Sequence, residues 1–444
     1  AIRAALDAEV NITYKILYND AVAMTGGQEI GDNWNVDGII KQVLAEGVKK
    51  ISVLSQDPKK YKYLSSKYVK SVHRDHIISE QVNLSKHKGV SVLIFDQTCA
   101  AEKRRRRKRG QMHDPLQRIM INPDVCEGCG DCSMQSSCVS IEPLETKLGR
   151  KRKINQSTCN KDYTCLKGFC PSFVSVDAQL QARTTSHKID GLPDPKHKVS
   201  DGVSNIILTG IGGTGVLTVS AITAMAAHYE GKESTILDMT GLAQKGGAVW
   251  SHIKIYEKNV KTFSHKIAPA SANLFLACDA VVGTKPEIQE VLSDKKTYSI
   301  INSDTIPVAD FVTNRDLDFK DDEVLKVIDK TTKDIDITVP AIKIAENLCG
   351  DAIAANIMML GAAYQLGHIP LKEESIKYAI KLNGIGVEKN IYSFNLGRLF
   401  AFNPKDKIFK FLNSFKEKEQ TTESVLKDRL ERLAIYDKKE IDFF

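Results

Sequence analysis

The sequence is organised around a cysteine-rich stretch that opens with Cys126-Glu-Gly-Cys129-Gly-Asp-Cys132. Seven of the ten cysteines of the chain lie in this stretch, and the four beyond the opening motif are Cys138, Cys159, Cys165 and Cys170. Three thiolates spaced by two residues can wrap one small inorganic core, because the short loop, with Gly128 and Gly130, returns each sulfur to the same side. A distant Cys-Pro pair, here Cys170-Pro171, is typical of the fourth ligand in two-cluster ferredoxins. The pattern therefore predicts iron–sulfur binding.

The cysteines divide unevenly between two clusters, since two four-iron clusters that are each held by four thiolates require one cysteine more. We expect a first cluster on four of them, Cys126, Cys129, Cys132 and Cys170. A second cluster on Cys138, Cys159 and Cys165 would need a fourth ligand from elsewhere. The candidates for that ligand are Asp162 and Cys99.

A zinc ribbon and a disulfide framework are the alternatives. Paired Cys-x2-Cys knuckles suffice for zinc, and this leaves Cys132 and the Cys170-Pro171 pair without a role. Disulfides are disfavoured because no basic-then-apolar leader opens the sequence, and because two further thiols, Cys278 and Cys349, lie in apolar surroundings. We expect a cytoplasmic iron–sulfur protein.

The composition is that of an ordinary globular protein. With 444 residues, 42% of them hydrophobic and 26% charged, the chain is long enough for two or three domains that each have a core. The longest apolar run, near residues 352–363, contains Asn356 and is too short for a membrane span. We therefore expect no membrane association.

The net charge of +7 owes much to one basic run, Lys103 to Arg109. Such a run can bind nucleic acid or act as a nuclear address. No aromatic stacking residues interleave it, and it directly precedes the cysteine stretch. We expect a solvated linker or a contact to another part of the assembly, and nucleic acid is not an expected partner.

The first 98 residues are predicted to form an α/β region. Ile12 to Tyr18 and Lys50 to Leu54 have the composition of strands, and 89–96 has that of a buried strand. Val36 to Gly47 has helical spacing and ends at a glycine. An opening without any capping preamble is typical of the middle of a domain.

A second α/β region is predicted to begin at Asn205. Its strand, Asn205 to Thr209, runs into a glycine loop and then into a helix, Val216 to Glu230. The loop residues are Gly210, Gly212, Gly213, Thr214 and Gly215. Taken alone, this is a dinucleotide fingerprint with Asp238 at the end of the next strand. Because a glycine loop at a helix N-terminus presents backbone N–H groups to an anion, we expect it to bind phosphate.

The residues after Asp238 weaken the dehydrogenase interpretation. A second dinucleotide-binding unit would return through a helix. Instead, a glycine- and lysine-bearing loop, Thr240 to Gly247, leads directly into a strand at Ala248 to Ile255. Two strands in succession without a crossover helix indicate an antiparallel pair. Further strands are predicted at Leu274 to Ala277, Tyr298 to Asn302 and Ile335 to Val339, with helices around Ala341 to Leu348 and Ala352 to Leu366.

Several long segments of the sequence resemble one enzyme family. The stretch from Ile12 to Gln28 (ITYKILYNDAVAMTGGQ) is similar to the thiamine-diphosphate-binding domain of 2-oxoacid:ferredoxin oxidoreductases, and most similar to the fused indolepyruvate:ferredoxin oxidoreductases. The resemblance extends through 96–110, through the cysteine stretch to Pro171, and into 237–250. The second α/β region accordingly resembles the family's gamma-type domain, which has a glycine-rich first turn and no nicotinamide.

The resemblance implies a function and a set of site residues. Asn19 would ligate the Mg²⁺ that holds thiamine diphosphate, beside the carbonyl of Ala21, as suits a hard cation. The loop that follows would also belong to the cofactor site, through Thr25, Gly26, Gly27 and Gln28. The implied reaction is oxidative decarboxylation of arylpyruvates such as indolepyruvate, with coenzyme A as co-substrate and ferredoxin as electron acceptor. A homo-oligomer is expected.

One departure from the family is large. The Gly-Asp-Gly triplet with the other Mg²⁺ ligand should stand before Asn19, and it is absent. We therefore expect an internal segment of a longer polypeptide, or one piece of a divided assembly, whose N- and C-terminal portions would be its partners.

The predicted fold class is a multidomain α/β protein with three parts of different kind. These are a partial thiamine-diphosphate-binding domain, a ferredoxin-like iron–sulfur domain and a Rossmann-like gamma-type domain. The expected boundaries are 1–98 for the first, 99–118 for a basic linker, 119–180 for the second, 181–204 for another linker, 205–403 for the third and 404–444 for a helical tail.

Overall fold

The computed structural model describes most of the chain in two compact units. The described residues are 1–22, 30–31, 34–178, 187–189, 191–198, 202–240, 247–260, 264–304, 311, 314–317, 321–415 and 422–433. The first unit comprises Ala1–Leu180, Gly241–Gly247 and Pro307–Asp318. The second comprises Gln181–Thr240, Ala248–Ile306 and Phe319–Phe444.

The first unit opens with a four-stranded parallel sheet in the order β1-β4-β2-β3. Its strands are β1 Ile12–Tyr18, β2 Ile51–Ser55, β3 Val69–His73 and β4 Val90–Asp96. Three helices accompany them, α1 Ile2–Asp7, α2 Val36–Ala45 and α3 Ile77–Ser85. Every residue of β2 is buried, as expected for a parallel strand that is covered on both faces. The predicted strand at Ile12 to Tyr18 is confirmed, whereas β3 was not predicted.

The basic run forms a helix, α4 Ala100–Lys108. Alanine, glutamate, lysine and arginine all favour helices. Glu102 is almost fully buried and accepts hydrogen bonds from Arg105 at 3.0 Å and Arg106 at 3.2 Å, one helical turn further on. Residues 103–107 are thus half-buried side chains of a helix, in place of the solvated linker that the sequence predicts.

The cysteine stretch is framed by two short antiparallel pairs. In the first pair, β5 Gln117–Ile121 lies beside β8 Phe173–Asp177. In the second, β6 Ile141–Leu144 lies beside β7 Lys151–Ile154. A short helix, α5 Asp131–Ser136, and a 3-10 turn at Thr164–Lys167 each follow one cysteine loop.

The second unit contains a six-stranded sheet in the order β10-β11-β9-β12-β13-β14. Its strands are β9 Val203–Ile211, β10 Glu233–Met239, β11 Ala248–Tyr256, β12 Leu274–Ala277, β13 Tyr298–Asn302 and β14 Asp334–Val339. Strands β9, β12, β13 and β14 are parallel, and the β10–β11 and β11–β9 pairs are antiparallel. The predicted antiparallel pair after the first helix is confirmed.

The helices of the second unit begin with α6 Val216–Tyr229. The others are Ala280–Gly283, Pro286–Gln289, Asp321–Thr331, Ala341–Ile344, Ala355–Gln365, Glu373–Asn383, Val387–Phe402 and Thr422–Leu433, with a π turn at Ala345–Cys349 and 3-10 turns at Ala352–Ala354 and Lys407–Phe415. Cys278 and Cys349 are buried in the main apolar core, as predicted.

Two core helices of this unit pack at unusually close range. A Cβ on Gly361 would lie 2.0 Å from the carbonyl oxygen of Phe394, and one on Gly397 would lie 1.9 Å from that of Met358. Glycine is therefore required at both crossing points. No helix in the described part of the chain is long and apolar enough to cross a membrane.

Candidate functional site

The first cysteine loop, residues 126–132, folds back so that its own backbone donates to a sulfur. The N–H of Gly128 donates to the Sγ of Cys126 at 3.4 Å. This turn requires positive φ angles, 73° at Gly128 and 83° at Gly130, which favour glycine. Helix α5 begins directly afterwards at Asp131. The prediction that these glycines allow tight wrapping agrees with this geometry.

The second cysteine loop, residues 159–165, has the same turn without glycine. The N–H of Lys161 donates to the Sγ of Cys159, again at 3.4 Å. Lys161 and Tyr163 have positive φ angles of 52° and 57°. A 3-10 turn begins at Thr164.

The structure brings several of the predicted ligands into electrostatic contact. Burial raises the pKa of the Cys165 thiol to about 12, and negative charge on Cys159, Cys138 and Asp162 contributes to this rise. Burial also raises the pKa of Cys132, and the neighbouring Cys126 adds to the effect. Cys126 thus acts on Cys132, and Cys138 and Cys159 act on Cys165, while the division of the thiols between two clusters stays a prediction. Cys170 lies 3.0 Å from the Oγ of Ser172, and its membership of the first group stays a prediction.

Cys129 is the exposed member of the first loop. Within the described ranges, no three His, Cys, Asp or Glu side chains converge closely enough to hold a single metal ion. The ligands of an iron–sulfur cluster bind different irons, so that they stand further apart than the ligands of one ion.

A buried arginine, Arg152 on β7, lies beside the first group of thiols. The residue is 1% exposed, and burial lowers the pKa of its guanidinium, while negative charge on Cys132 and Cys126 acts in the opposite direction. Nη2 donates to the carbonyl of Arg315 at 3.2 Å, and the guanidinium lies 4.6 Å from the ring centre of Phe311. Within the described part of the first unit, its Nε has no hydrogen-bond partner. A buried cation with an open donor fits an anionic group held by these thiols.

Arginine side chains of the basic helix α4 donate hydrogen bonds to backbone carbonyl groups at the second cysteine loop. Nη1 of Arg104 donates to the carbonyl of Thr158 at 2.9 Å, and Nη1 of Arg107 donates to that of Asn160 at 2.6 Å. Nζ of Lys161 pairs with Asp114 and donates to the carbonyl of Pro115 at 3.2 Å. The basic run therefore contacts a neighbouring part of the same unit, which is one of the two roles expected for it.

The carboxyl edge of the first sheet carries the predicted Mg²⁺ ligand. Asn19 follows β1 and is half-buried, and Ala21 is 5% exposed. The predicted cofactor residues Thr25, Gly26, Gly27 and Gln28 lie outside the described residues.

Asp20, the acidic residue next to Asn19, lies beyond the strand, since β1 ends at Tyr18 and Asp20 has a φ of 52°. Its carboxylate accepts from Nη2 of Arg106 at 2.8 Å and from Oγ1 of Thr98 at 3.2 Å. Because Asp20 is engaged by Arg106, it is a poor substitute for the missing carboxylate ligand.

The glycine loop of the second unit links β9 to α6. A Cβ on Gly210 would lie 2.4 Å from Cγ2 of Val216, so only glycine lets strand and helix approach so closely. Gly213 and Gly215 have φ angles of 85° and 93°, and Gly212, which precedes them, is half-buried.

The threonine of this loop is fixed from both sides. Oγ1 of Thr214 donates to the carbonyl of Ile211 at 2.7 Å, and Nδ2 of Asn356 donates to the carbonyl of Thr214 at 2.9 Å. Sequence reasoning treated Asn356 only as an interruption of an apolar run. Its contact with the loop joins residues far apart in the chain, and no local pattern could have revealed it.

Asp238 does not lie where a dinucleotide-binding domain would place its acidic residue. It stands at the end of β10, which is separated from β9 by the antiparallel strand β11. Its Oδ1 accepts from Oγ of Ser251 at 2.5 Å and from Oγ of Ser220 at 3.2 Å. In the dinucleotide fold this strand lies next to the first one and parallel to it.

The second unit thus defines a class, a Rossmann-like α/β domain with a glycine turn and an antiparallel strand pair, distinct in topology from the nicotinamide-binding fold. Residues 205–400 match the family described as pyruvate ferredoxin/flavodoxin oxidoreductase. Residues 205–400 thus form a domain of the 2-oxoacid:ferredoxin oxidoreductase family, the family that the sequence resembles.

Three similar proteins illustrate the match. Indolepyruvate oxidoreductase subunit IorB of Archaeoglobus fulgidus is 27% identical over 196 residues, which cover 44% of this chain and 92% of that subunit. Ketoisovalerate oxidoreductase subunit VorA of Methanothermobacter marburgensis is 29% identical over 214 residues, covering 48% of this chain and 39% of that subunit. The crystal structure of pyruvate oxidoreductase subunit PORC from Thermotoga maritima is 22% identical, covers 45% of this chain and 96% of that one, and has a TM-score of 0.33.

Proposed function

We propose that this chain serves a 2-oxoacid:ferredoxin oxidoreductase that oxidatively decarboxylates arylpyruvates, with indolepyruvate as the representative substrate, coenzyme A as co-substrate and ferredoxin as electron acceptor. The observation that carries the proposal is the pair of cysteine loops. Each returns a backbone N–H to its first sulfur at 3.4 Å, in a chain whose residues 205–400 match the family.

The cysteines fit two iron–sulfur clusters, each bound by a different set of side chains. The first would be bound by Cys126, Cys129, Cys132 and Cys170, and the second by Cys138, Cys159 and Cys165. Bound clusters accept and release single electrons, and bound thiamine diphosphate supplies the decarboxylation chemistry. The chain contributes burial and hydrogen bonds, which set the reduction potential.

The electrostatic part of this contribution is clearest at the first loop. Nε of Arg152 is a buried donor beside Cys126 and Cys132. A positive charge there favours the more negative, reduced state of a cluster and so raises its potential. At the second loop, Arg104 and Arg107 donate hydrogen bonds to backbone carbonyls and not toward the thiols. These hydrogen bonds stabilise the shape of the loop.

Two further sites would bind the Mg²⁺ of the diphosphate and an anionic group. Asn19 and the carbonyl of Ala21 stand at the carboxyl edge of a parallel sheet, where ligands of such sheets bind. We assign them to the Mg²⁺ of the diphosphate. The glycine loop from Gly210 to Gly215 is assigned to an anionic group, which its backbone N–H groups would bind.

A second candidate function is electron transfer without decarboxylation. The observation that favours it is the composition of β1, Ile12–Tyr18, which supplies no carboxylate to accompany Asn19. Mg²⁺ requires a near-ideal octahedron of oxygens and depends strongly on carboxylate charge. The isolated chain is therefore expected to be inactive toward 2-oxoacids on its own.

Complementation separates the two functions. The chain is combined with a polypeptide that supplies the Gly-Asp-Gly segment, and ferredoxin reduction driven by indolepyruvate and coenzyme A is followed spectroscopically. We expect activity only in the combination, and its loss in Asn19→Ala, with the iron content of the chain unchanged. A matched control is Asn11→Ala, which alters a hydrogen-bonded asparagine at the opposite end of β1.

Two results would contradict the proposal, one for the role of Asn19 and one for decarboxylation itself. Full turnover in the complemented Asn19→Ala chain would show that Asn19 has no part in the site. Reduction of the clusters by an external donor, without any response to 2-oxoacids in the combination, would leave the electron-transfer function in its place.

A further inference from the structure

The two cysteine loops correspond position by position. Five residues separate Cys126 from Cys132, and five separate Cys159 from Cys165. The donor to the first sulfur is the residue two positions on, Gly128 or Lys161, at 3.4 Å in both loops. The correspondence therefore holds in hydrogen bonding as well as in spacing.

The backbone conformation extends the correspondence. The third and fifth positions are left-handed in each loop, with φ of 73° and 83° in the first and of 52° and 57° in the second. A helical turn begins at the sixth position, Asp131 in one loop and Thr164 in the other. Left-handed conformations of non-glycine residues cost about 1 kcal/mol each, so that Lys161 and Tyr163 adopt this shape against their preference.

Specific contacts hold those two residues in place. Lys161 is buried and pairs through Nζ with Asp114, and the hydroxyl of Tyr163 donates to the carbonyl of Gln117 at 3.1 Å. The second loop is thus built to reproduce the shape of a glycine loop.

One position differs in chemistry. The fourth residue is Cys129 in the first loop and Asp162 in the second, and both are exposed. Resting on the proposed function, we infer that Asp162 supplies a carboxylate ligand to the second iron–sulfur cluster, at the position that Cys129 holds for the first. With Cys138, Cys159 and Cys165 it completes a set of four donors.

This ligand set has a chemical consequence. A carboxylate is a harder donor than a thiolate and binds cluster iron less tightly. The iron at Asp162 is therefore the labile one. One-electron oxidation with ferricyanide, which is reduced to ferrocyanide, should release that iron as Fe²⁺ and leave a three-iron cluster.

Two neighbours offer competing explanations. Cys99 precedes α4 and is the other candidate for the fourth ligand. Lys103 lies close enough to Asp162 to interact with its charge, so that Asp162 could serve only an ion pair. Each explanation has its own variant, Cys99→Ser and Lys103→Met.

The test uses the whole chain with its clusters assembled anaerobically. Iron per chain is measured before and after ferricyanide treatment, and reduced samples are examined by electron paramagnetic resonance. Asp162→Ala should lose about one iron per chain without oxidant. Asp162→Cys should retain all the iron and resist ferricyanide, a gain that a misfolded variant could not show. Cys99→Ser and Lys103→Met should behave as the wild type.

The contradicting results are distinct. Unchanged iron and resonance signals in both Asp162 variants, or iron loss in Cys99→Ser, would overturn the ligand assignment while leaving the clusters themselves in place. Iron loss in Lys103→Met equal to that in Asp162→Ala would assign Asp162 to the ion pair. A wild-type chain without iron would overturn the proposed function itself.

Discussion

The two cysteine loops reach one backbone shape by different means. In the first, Gly128 is enclosed, since a Cβ there would lie 2.2 Å from the carbonyl oxygen of Arg150. In the second, the corresponding Lys161 has room for its side chain and uses it to pair with Asp114. The first loop therefore depends on the absence of a side chain, and the second on the contacts that a side chain makes.

The surroundings of the loops differ in the same way. A buried guanidinium, that of Arg152, adjoins the first group of thiols. The second loop is held through its carbonyls by Arg104 and Arg107 of the basic helix. The comparison teaches that spacing between cysteines determines loop shape, whereas the neighbouring elements determine how that shape is maintained and how charged its surroundings are.

The largest effect is expected from Gly128→Ala. The new methyl group would collide with backbone rather than with a flexible side chain, and the positive φ would add strain. We expect the free energy of unfolding of this region to fall by about 3 kcal/mol or more. We also expect the chain to lose the iron of the first cluster. Urea unfolding and iron analysis measure the two effects.

Gly149→Ala is the matched control for that substitution. Gly149 also has a positive φ, 89°, but a Cβ there would meet nothing within 4 Å. It should cost only about 1 kcal/mol and leave the iron content unchanged. Equal effects of the two substitutions would show that the close approach of β7 to the first loop is not essential.

A smaller effect is expected from Arg152→Met, which keeps the length of the side chain and removes its charge. The reduction potential of the first cluster should fall, because the reduced state loses a nearby positive charge, and that of the second cluster should not change. Redox titration followed by electron paramagnetic resonance measures both potentials.

Lys153→Met is the control, since Lys153 has the same charge and lies on the same strand but is half-exposed and pairs with Glu142. Its removal should leave both potentials unchanged. Equal shifts in the two variants would indicate a general charge effect and not the buried contact of Arg152.

The local features of the sequence predicted much of the fold. Strands β1, β12 and β13 begin and end where they were expected, because apolar runs bounded by polar turns specify strands. Strand β3, Val69–His73, was missed because only its first residue is buried and it carries a lysine. The basic helix is predicted as a linker because most of its residues are charged, although those residue types favour helices.

The candidate site was predictable only in its local part. The tight turn of the first cysteine loop was predictable from its spacing and its glycines, because a single short segment determines it. Arg152 and the donors of α4 reach the loops through tertiary contacts between distant segments, and no periodicity or motif encodes such contacts.

The most direct test of the account is the iron content and the electron paramagnetic resonance spectrum of the reduced, anaerobically prepared chain, compared between Cys126→Ser and Cys159→Ser. The account predicts two overlapping cluster signals in the wild type. Each substitution should weaken a different one, because the proposal assigns the two sulfurs to different clusters. Cys278→Ser, at a buried core thiol, should leave both signals in place. Zinc in place of iron, or loss of the same signal in both variants, would contradict the account.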